Sequence, residues 1–197
     1  AYPDAWRYAC LAGRRACDKY ANVDAAALFE RALAAAKRLP ELPAHATAEV
    51  WELLGDVRER SGVYDGAVAA YRAARRLVHD DPVHEAGLFL KEAWIPERTG
   101  RYSESIRWIR KGLNLLEGIP GPVAGRCRAQ LASWFGMIRQ AQGRAAEAIT
   151  WCERAITEAV AADDPEAEAH ACLTLDWAYV RLGQRDRAVY SARALEP

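Results

Sequence analysis

Residues 48–55 read AEVWELLG, and residues 62–67 read GVYDGA. The first run has the apolar spacing of an amphipathic helix, the glycine at position 62 ends it, and an alanine-rich helical pattern follows. The same junction recurs at Gly100, Gly143 and Gly183, so that the four glycines are 38, 43 and 40 residues apart. A recurrence at this period is typical of a stack of helical hairpins.

Prolines separate these hairpins. Pro43, Pro82, Pro122 and Pro165 each follow one helical pattern and precede the next. Proline lacks an amide donor and restricts the residue before it, so a helix ends there and the next one starts. We predict ten helices in five pairs, at residues 4–20 and 22–39, 44–61 and 63–79, 83–99 and 101–117, 122–142 and 144–162, and 166–182 and 184–195. The five cassettes span approximately residues 4–43, 44–82, 83–121, 122–164 and 165–197 of a single array, which we expect to be an excerpt of a longer polypeptide.

Two sets of residues explain how the predicted helices close against each other. Small residues recur at equivalent places: Gly13, Gly55, Ala93 and Gly136 in the first helices, and Ala25, Ala67, Ser105, Ala148 and Ala188 in the second. Small side chains let helix axes approach to about 8 Å. Large residues one turn away are predicted to fill the gaps: Leu54, Phe135 and Leu175 from first helices, and Phe29, Tyr71 and Ile109 from second helices. The pattern predicts an all-α core.

The composition narrows the classes of function. Basic and acidic residues number 27 each, so no overall field favours nucleic acid or an anionic membrane. No stretch approaches the roughly 20 apolar residues of a membrane span. Five cysteines without C-x-x-C spacing indicate a reducing, cytoplasmic setting. We therefore expect a cytoplasmic protein with neither nucleic-acid nor membrane partners.

The combined pattern resembles the tetratricopeptide repeat family. The family's succession of Trp, Leu-Gly, Tyr, Ala, Phe and Pro is matched by Trp51, Leu54-Gly55, Ala67, Tyr71 and Pro82, while Arg58 stands where the first-helix Tyr would be. The resemblance implies an α-solenoid of five helix-turn-helix repeats in a right-handed superhelix. The fifth cassette departs from it, because Asp176 replaces the small glycine and puts the closest packing in doubt. More loosely, the long alanine- and arginine-rich repeats are similar to the helical tails of large bacterial signalling ATPases and cyclase-linked regulators.

The motifs of catalysis and cofactor binding are absent from the sequence. It contains no glycine-rich phosphate loop, no H-E-x-x-H and no G-x-S-x-G. His79 and His84 flank a proline turn and could form a surface metal site, but a third ligand is lacking, so a solvated turn is the favoured interpretation. We predict no enzyme activity, no cofactor and no metal site in this chain.

By resemblance, the first helices line the concave groove in which ligands of the family bind. The groove residues implied are Arg14, Asp18, Glu52, Asp56, Arg60, Trp94, Arg98, Met137, Trp177 and Arg181. Two cassettes place Trp and Arg four residues apart on one face, where the guanidinium can stack on the indole. With first helices about 10 Å apart, these two pairs would stand about 20 Å apart. The alternative is that both tryptophans fold onto the second helices and both arginines are solvated.

These residues predict a non-catalytic scaffold that binds a protein or peptide segment. We expect it to be the interaction or regulatory module of a bacterial signalling protein, with the acidic second cassette, at Glu52, Asp56 and Glu59, orienting a charged ligand. One alternative is self-association into a homo-oligomer, because the last helix, with Val189, Tyr190 and Leu195, has no capping helix after it. Another is a sensor that binds a small signal peptide. Any enzyme activity would then belong to other domains of the parent protein.

Overall fold

The chain folds into long helices joined by short connections. The structure is a computed structural model that describes residues 2–193, apart from the side chains of Ser191 and Arg193. Each long helix begins and ends within four residues of its predicted bounds. The predicted all-α fold of helical hairpins is confirmed. The long helices are α1 (Tyr2–Asp18), α2 (Asn22–Ala36), α3 (Ala44–Arg60), α4 (Tyr64–Arg75), α5 (Pro82–Arg98), α6 (Tyr102–Leu115), α7 (Pro122–Ala141), α8 (Ala145–Ala162) and α9 (Pro165–Arg181).

The recurring glycines form the turns inside the hairpins. Gly62, Gly100, Gly143 and Gly183 have φ between 72° and 76°, the left-handed region that glycine enters without steric cost. The amide after each glycine donates to the carbonyl five residues earlier, as from Val63 to Arg58 at 2.8 Å. This Schellman arrangement ends the first helix and redirects the chain into the second.

The first hairpin makes the same turn with a tyrosine. Tyr20 has φ of 57°, and the amide of Ala21 donates to the carbonyl of Ala16 at 2.9 Å. The Tyr20 side chain is exposed, so only the backbone geometry of the turn is repeated here. The first hairpin therefore lacks the glycine that marks this turn in the later hairpins.

Proline and aspartate begin the first helices of the later hairpins. Pro82, Pro122 and Pro165 are the first residues of α5, α7 and α9, each within one residue of the predicted start. Asp81 accepts the amide of His84 at 3.0 Å, and Asp164 accepts the amide of Ala167 at 3.1 Å. These carboxylates satisfy amides that have no partner inside the helix.

Close packing at small-residue positions holds α1 against α2, α3 against α4 and α7 against α8. A Cβ added to Gly13 would lie 2.5 Å from Cε1 of Phe29, and one added to Gly136 would lie 2.6 Å from Sγ of Cys152. A Cβ on Gly55 would overlap the Tyr71 ring. The large residues predicted to fill the adjacent gaps are all buried: Phe29, Leu54, Tyr71, Ile109, Phe135 and Leu175.

The helices fall into two compact units, each with its own core. Unit 1 ends at Ile95, and the rest of the chain forms unit 2. In unit 1, Phe29 of α2 belongs to a core cluster with Leu54 of α3. In unit 2, Cys152 of α8 belongs to a cluster with Leu175 of α9. That all five cassettes form a single array stays a prediction.

The last predicted helix, at residues 184–195, is much shorter in the structure. The described residues there form a 3-10 turn at Arg185–Arg187 and a short helix, α10, at Tyr190–Arg193. Asp176, at the position of the small residue, is buried, and its Oδ1 accepts the amide of Tyr190 at 3.0 Å. A carboxylate here takes space that a closely packed second helix would need. Leu195 lies outside the described residues.

Candidate partner-binding surface

Charged residues on the first helices of unit 1 pair with one another. Nη2 of Arg14, on α1, donates to Oε1 of Glu49, on α3, at 2.7 Å. Both side chains are largely exposed, so the pair adds little to stability. Asp18 and Arg60 are also exposed, and they act with opposite signs on the pKa of Cys17, which burial raises.

Lys91 of α5 lies between two acidic residues of α3. Its Nζ is 2.8 Å from Oε1 of Glu52 and 2.7 Å from Oδ1 of Asp56. Nε2 of His84 is 2.8 Å from the other Glu52 oxygen, and the Tyr71 hydroxyl donates to Asp56 at 3.0 Å. We call these five residues, Glu52, Asp56, Tyr71, His84 and Lys91, the lysine cluster.

The lysine cluster favours the charged forms of Glu52 and Lys91. Burial alone would raise the pKa of Glu52, but Lys91 and His84 outweigh burial, and that pKa lies below its ordinary value. Burial would lower the pKa of Lys91, but Asp56 and Glu52 hold it above its ordinary value. The side chains of Lys91 and Glu52 are only 20% and 22% exposed. One cation, Lys91, is therefore shared by the two carboxylates of Glu52 and Asp56 within the unit. That this acidic cassette orients a charged ligand stays a prediction.

Neutral groups join the first helices of unit 2. The Trp134 ring of α7 stacks on His170 of α9, with centroids 5.3 Å apart and planes 26° from parallel. The Ser133 hydroxyl is hydrogen-bonded to Nδ1 of the same histidine. Burial lowers the pKa of His170, with Glu166 opposing it, so the neutral form is favoured.

Exposed apolar side chains run along α9. Leu173 is 52% exposed, Trp177 is 62% exposed and Val180 is 41% exposed. Steps of four and three residues place all three on one face of the helix, and we call them the α9 stripe. The alternative in which Trp177 folds down onto a second helix does not hold. Met137, the predicted adaptable residue of α7, is half-buried.

Arg181 does not stack on Trp177 as predicted. Both residues are described, and the structure shows no cation–π contact between them. Nη2 of Arg181 instead lies 3.6 Å from where a Cβ would stand on Gly143. The guanidinium thus lies beside the α7–α8 connection, at ordinary contact distance from that position, and the indole face is left uncovered.

The ten predicted groove residues are divided between the two units. Unit 1 contains Arg14, Asp18, Glu52, Asp56, Arg60 and Trp94, and unit 2 contains Arg98, Met137, Trp177 and Arg181. Within unit 1 the structure brings Glu52 and Asp56 together on one lysine. Trp94 is half-buried and Arg98 is exposed. The spacing of about 20 Å between the two Trp-Arg pairs stays a prediction.

No protein-family model matches the chain, and no curated protein matches it. Solved structures do. Aspartyl phosphate phosphatase F from Bacillus subtilis is similar with a TM-score of 0.83 and 15% identity, over 97% of this chain and 50% of that one. The Rap conjugation gene regulator of plasmid pLS20, in complex with the Phr* peptide, has a TM-score of 0.74 and 16% identity, over 96% and 52%. A Podosopora anserina kinesin light chain of nearly identical TPR-like repeats has a TM-score of 0.70 and 16% identity, over 95% and 92%.

The fold is tetratricopeptide-like. The chain spans about half the length of the first two of these structures, and identities this low show the fold alone. The looser similarity to signalling ATPases stays a prediction. Within residues 2–193 of this tetratricopeptide-like chain, no helix is long and apolar enough to cross a membrane.

The histidine and cysteine side chains are distributed as follows. His84 contacts Glu52, while His79 is exposed. Over the described part of the chain, no group of three His, Cys, Asp or Glu side chains is arranged to hold a metal ion. All five cysteines are free thiols, and burial raises the pKa of Cys152 to about 12.

Two residues of these surfaces were missed by sequence reasoning. Lys91 follows His84 by seven residues, and His170 precedes Trp177 by seven. Seven residues are close to two helical turns, so each pair shares a face. This spacing was a usable signal for both residues. The sequence does not show which residue each of them contacts across the helix interface, because that depends on how the helices pack.

Proposed function

We propose that this chain is a non-catalytic scaffold that binds a protein or peptide segment on the first helices of unit 2. The observation that carries the proposal is the 62% exposure of Trp177. Tryptophan is usually largely buried, and exposed aromatic side chains are the commonest energetic anchors of interfaces. Trp177 stands in the middle of the α9 stripe, so an apolar partner side chain can cover it together with Leu173 or Val180.

The surroundings of the α9 stripe define the partner's chemistry. Met137 of α7 offers an adaptable apolar contact, and the stacked Trp134 and His170 join α7 to α9. Arg181 is exposed and forms no ion pair with any described residue. The expected ligand is a segment with aromatic or aliphatic anchors and one acidic residue for Arg181.

Two further observations support this function. One solved structure of the same fold is a complex with a peptide. The five free thiols fit a reducing cytoplasm. We propose a regulatory or interaction module of a bacterial signalling protein, with Arg98 as a further member of the binding surface in unit 2.

A displayed peptide library tests the proposal. The full chain is immobilised, binders are selected, and the dissociation constant of the best peptide is measured by fluorescence anisotropy. Trp177→Ala should weaken binding at least tenfold, about 1.4 kcal/mol or more. Leu173→Ala should weaken it less. Trp94→Ala tests whether unit 1 takes part.

Val160→Ala is the matched control. Val160 is 60% exposed but lies on α8, a second helix, so its removal deletes apolar surface away from the proposed site. Equal affinities for the wild type, Trp177→Ala and Val160→Ala would contradict the proposal. A peptide that binds and also changes the radius of gyration in solution scattering would favour the sensor for a small signal peptide.

Self-association is the second candidate function, and exposed apolar residues after α9 favour it. Leu182 and Val189 are exposed. Tyr190 is less available, because its ring stacks on Tyr179 with centroids 6.1 Å apart. Sedimentation velocity over a range of concentrations distinguishes the two functions. A mass that rises with concentration and returns to the monomer in Val189→Ser would support a homo-oligomer.

A further inference from the structure

A cavity of about 620 Å³ opens between the second helices of unit 2, away from the α9 stripe. Its walls come from α6, α7 and α8 and from the connection at residues 116–120. Small-molecule sites typically have volumes of about 300–1,000 Å³. The cavity therefore has the size of a site for a small ligand. We call it the arginine cavity, after Arg110, Arg128 and Arg154 in its lining.

Arg128 has a structural part in the cavity. Its Nε donates to Oε2 of Glu158 at 3.0 Å, and its Nη1 donates to the Ile119 carbonyl at 2.7 Å. The carbonyl contact fixes the connection between α6 and α7, while the carboxylate contact ties α7 to α8. This arginine and Glu158 neutralise each other and shape the wall.

Arg110 and Arg154 have no such partner. Both are exposed, and neither forms an ion pair with any residue in the described part of the chain. Each guanidinium lies near an aromatic ring instead: Arg110 is 5.6 Å from the Phe135 centroid, and Arg154 is 5.2 Å from the Trp151 centroid. Contacts with the rings position the two cations and leave their donors open to a ligand.

The remaining lining supplies a flat apolar surface. Trp151 is half-buried and stacks on Phe135, with centroids 4.1 Å apart and planes 22° from parallel. Leu113 of α6 and Leu116 of the connection that follows it also line the cavity. Glu117 is the one carboxylate of the lining other than Glu158. After the Arg128 pair is set aside, two cations face one carboxylate.

We propose that the arginine cavity binds a small organic anion in which a carboxylate or phosphate is attached to a planar ring. Guanidinium groups recognise both anions through paired N–H donors, and the ring is accommodated by the Trp151 and leucine walls. A small molecule is favoured over an acidic peptide, because the volume of about 620 Å³ is that of a small-ligand site.

Titration calorimetry on the full chain tests this with two probes, adenosine monophosphate for the phosphate and 1-naphthoate for the carboxylate. At least one should bind saturably at one site per chain with a dissociation constant below about 1 mM. Arg110→Gln and Arg154→Gln should each weaken that binding about tenfold. Arg107→Gln is the matched control, since Arg107 is exposed on α6, does not line the cavity, and pairs with Glu104 at 3.8 Å. It should leave the affinity unchanged.

Three results would overturn the proposal. The first is that neither probe saturates. The second is that inorganic phosphate or adenosine binds as tightly as adenosine monophosphate and no naphthoate binding is seen, because coupling the ring to the anion would then contribute nothing. The third is that a hexaglutamate peptide binds more tightly than both probes, which would assign the cavity to acidic peptides. Far-UV circular dichroism confirms that the arginine variants stay folded, which is expected because both side chains are exposed.

Discussion

The first helices of unit 1 and those of unit 2 carry different chemistry at equivalent positions. In unit 1, Glu52 and Asp56 of α3 are held by Lys91 of α5 at 2.7–2.8 Å. In unit 2, Trp177 of α9 stands exposed with apolar neighbours above and below it. A residue at a groove position is available to a partner only when the next first helix does not already satisfy it. In unit 1, Lys91 pairs with Glu52 and Asp56 inside the unit. In unit 2, the apolar side chains of the α9 stripe are exposed.

Replacing two tryptophans of unit 2, one at a time, tests whether the Trp177 side chain is exposed on α9. These two variants should differ most in the free energy of unfolding. Trp108 is buried and Trp177 is exposed. Trp108→Ala should lower the free energy of unfolding by about 3–5 kcal/mol, because it opens a cavity in the core. Trp177→Ala should lower it by less than about 1 kcal/mol, since few contacts are lost. Urea unfolding followed by circular dichroism measures both. Similar losses for the two variants would mean that Trp177 is a core residue.

Removing the cation of the lysine cluster tests the internal use of charge in unit 1. In Lys91→Met, the mostly buried carboxylates of Glu52 and Asp56 lose their shared cation. The free energy of unfolding should fall by about 2–4 kcal/mol. Arg14→Met is the control, because its pair with Glu49 is largely exposed, and it should cost less than about 0.5 kcal/mol.

A second variant separates lost charge from lost packing. Asp56→Asn added to Lys91→Met removes one of the uncompensated charges, so part of the lost stability should return. If the double variant is less stable than Lys91→Met by the full cost of Asp56→Asn alone, the two residues are independent. The pairing of Lys91 with Asp56 would then contribute nothing to the stability of unit 1.

The fold was largely predictable from the sequence because its determinants are local. Glycine supplies the left-handed turn at Gly62 and Gly143, and proline begins α5 and α7, each through backbone geometry that depends on residue type. This kind of prediction fails at Tyr20, because a tyrosine adopts the same turn and only a glycine would have signalled it. The prediction is also incomplete at Asp176. The sequence puts close packing at this position in doubt, but it does not indicate that the aspartate accepts the Tyr190 amide.

The binding surface was less predictable because it depends on pairs of helices. Helix phase left two positions open for Trp177, exposed or folded onto a second helix, and in the structure the side chain is exposed. Helix phase could not show that Lys91 reaches back to Glu52 and Asp56, nor that Arg181 turns toward Gly143 instead of the indole. Arg110 and Arg154 were passed over because the second helices were considered for packing only. Each of these outcomes is set by side-chain conformations across an interface.

Acidification tests the same comparison through two titrating sites. Burial lowers the pKa of His170 in unit 2, so the unfolded chain binds this proton more readily than the folded chain. Stability from this site is therefore complete above the ordinary histidine pKa of about 6.5 and decreases as the pH falls through it. In unit 1, the pKa of Glu52 lies below its ordinary value of 4.5 and that of Lys91 lies above its ordinary value of 10.5. The contribution of those two residues is lost only in stronger acid or stronger base.

Urea unfolding between about pH 7.5 and about pH 5.5 covers the range around the ordinary histidine pKa of about 6.5. The free energy of unfolding should decrease toward the acid end in the wild type. The decrease should be smaller in His170→Asn, which keeps a side-chain nitrogen for Ser133. His45→Asn removes an exposed histidine and should follow the wild type. A decrease that persists in His170→Asn and is reduced in His84→Asn would place the acid-sensitive site in the lysine cluster, reversing the assignment of charge to unit 1 and neutral packing to unit 2.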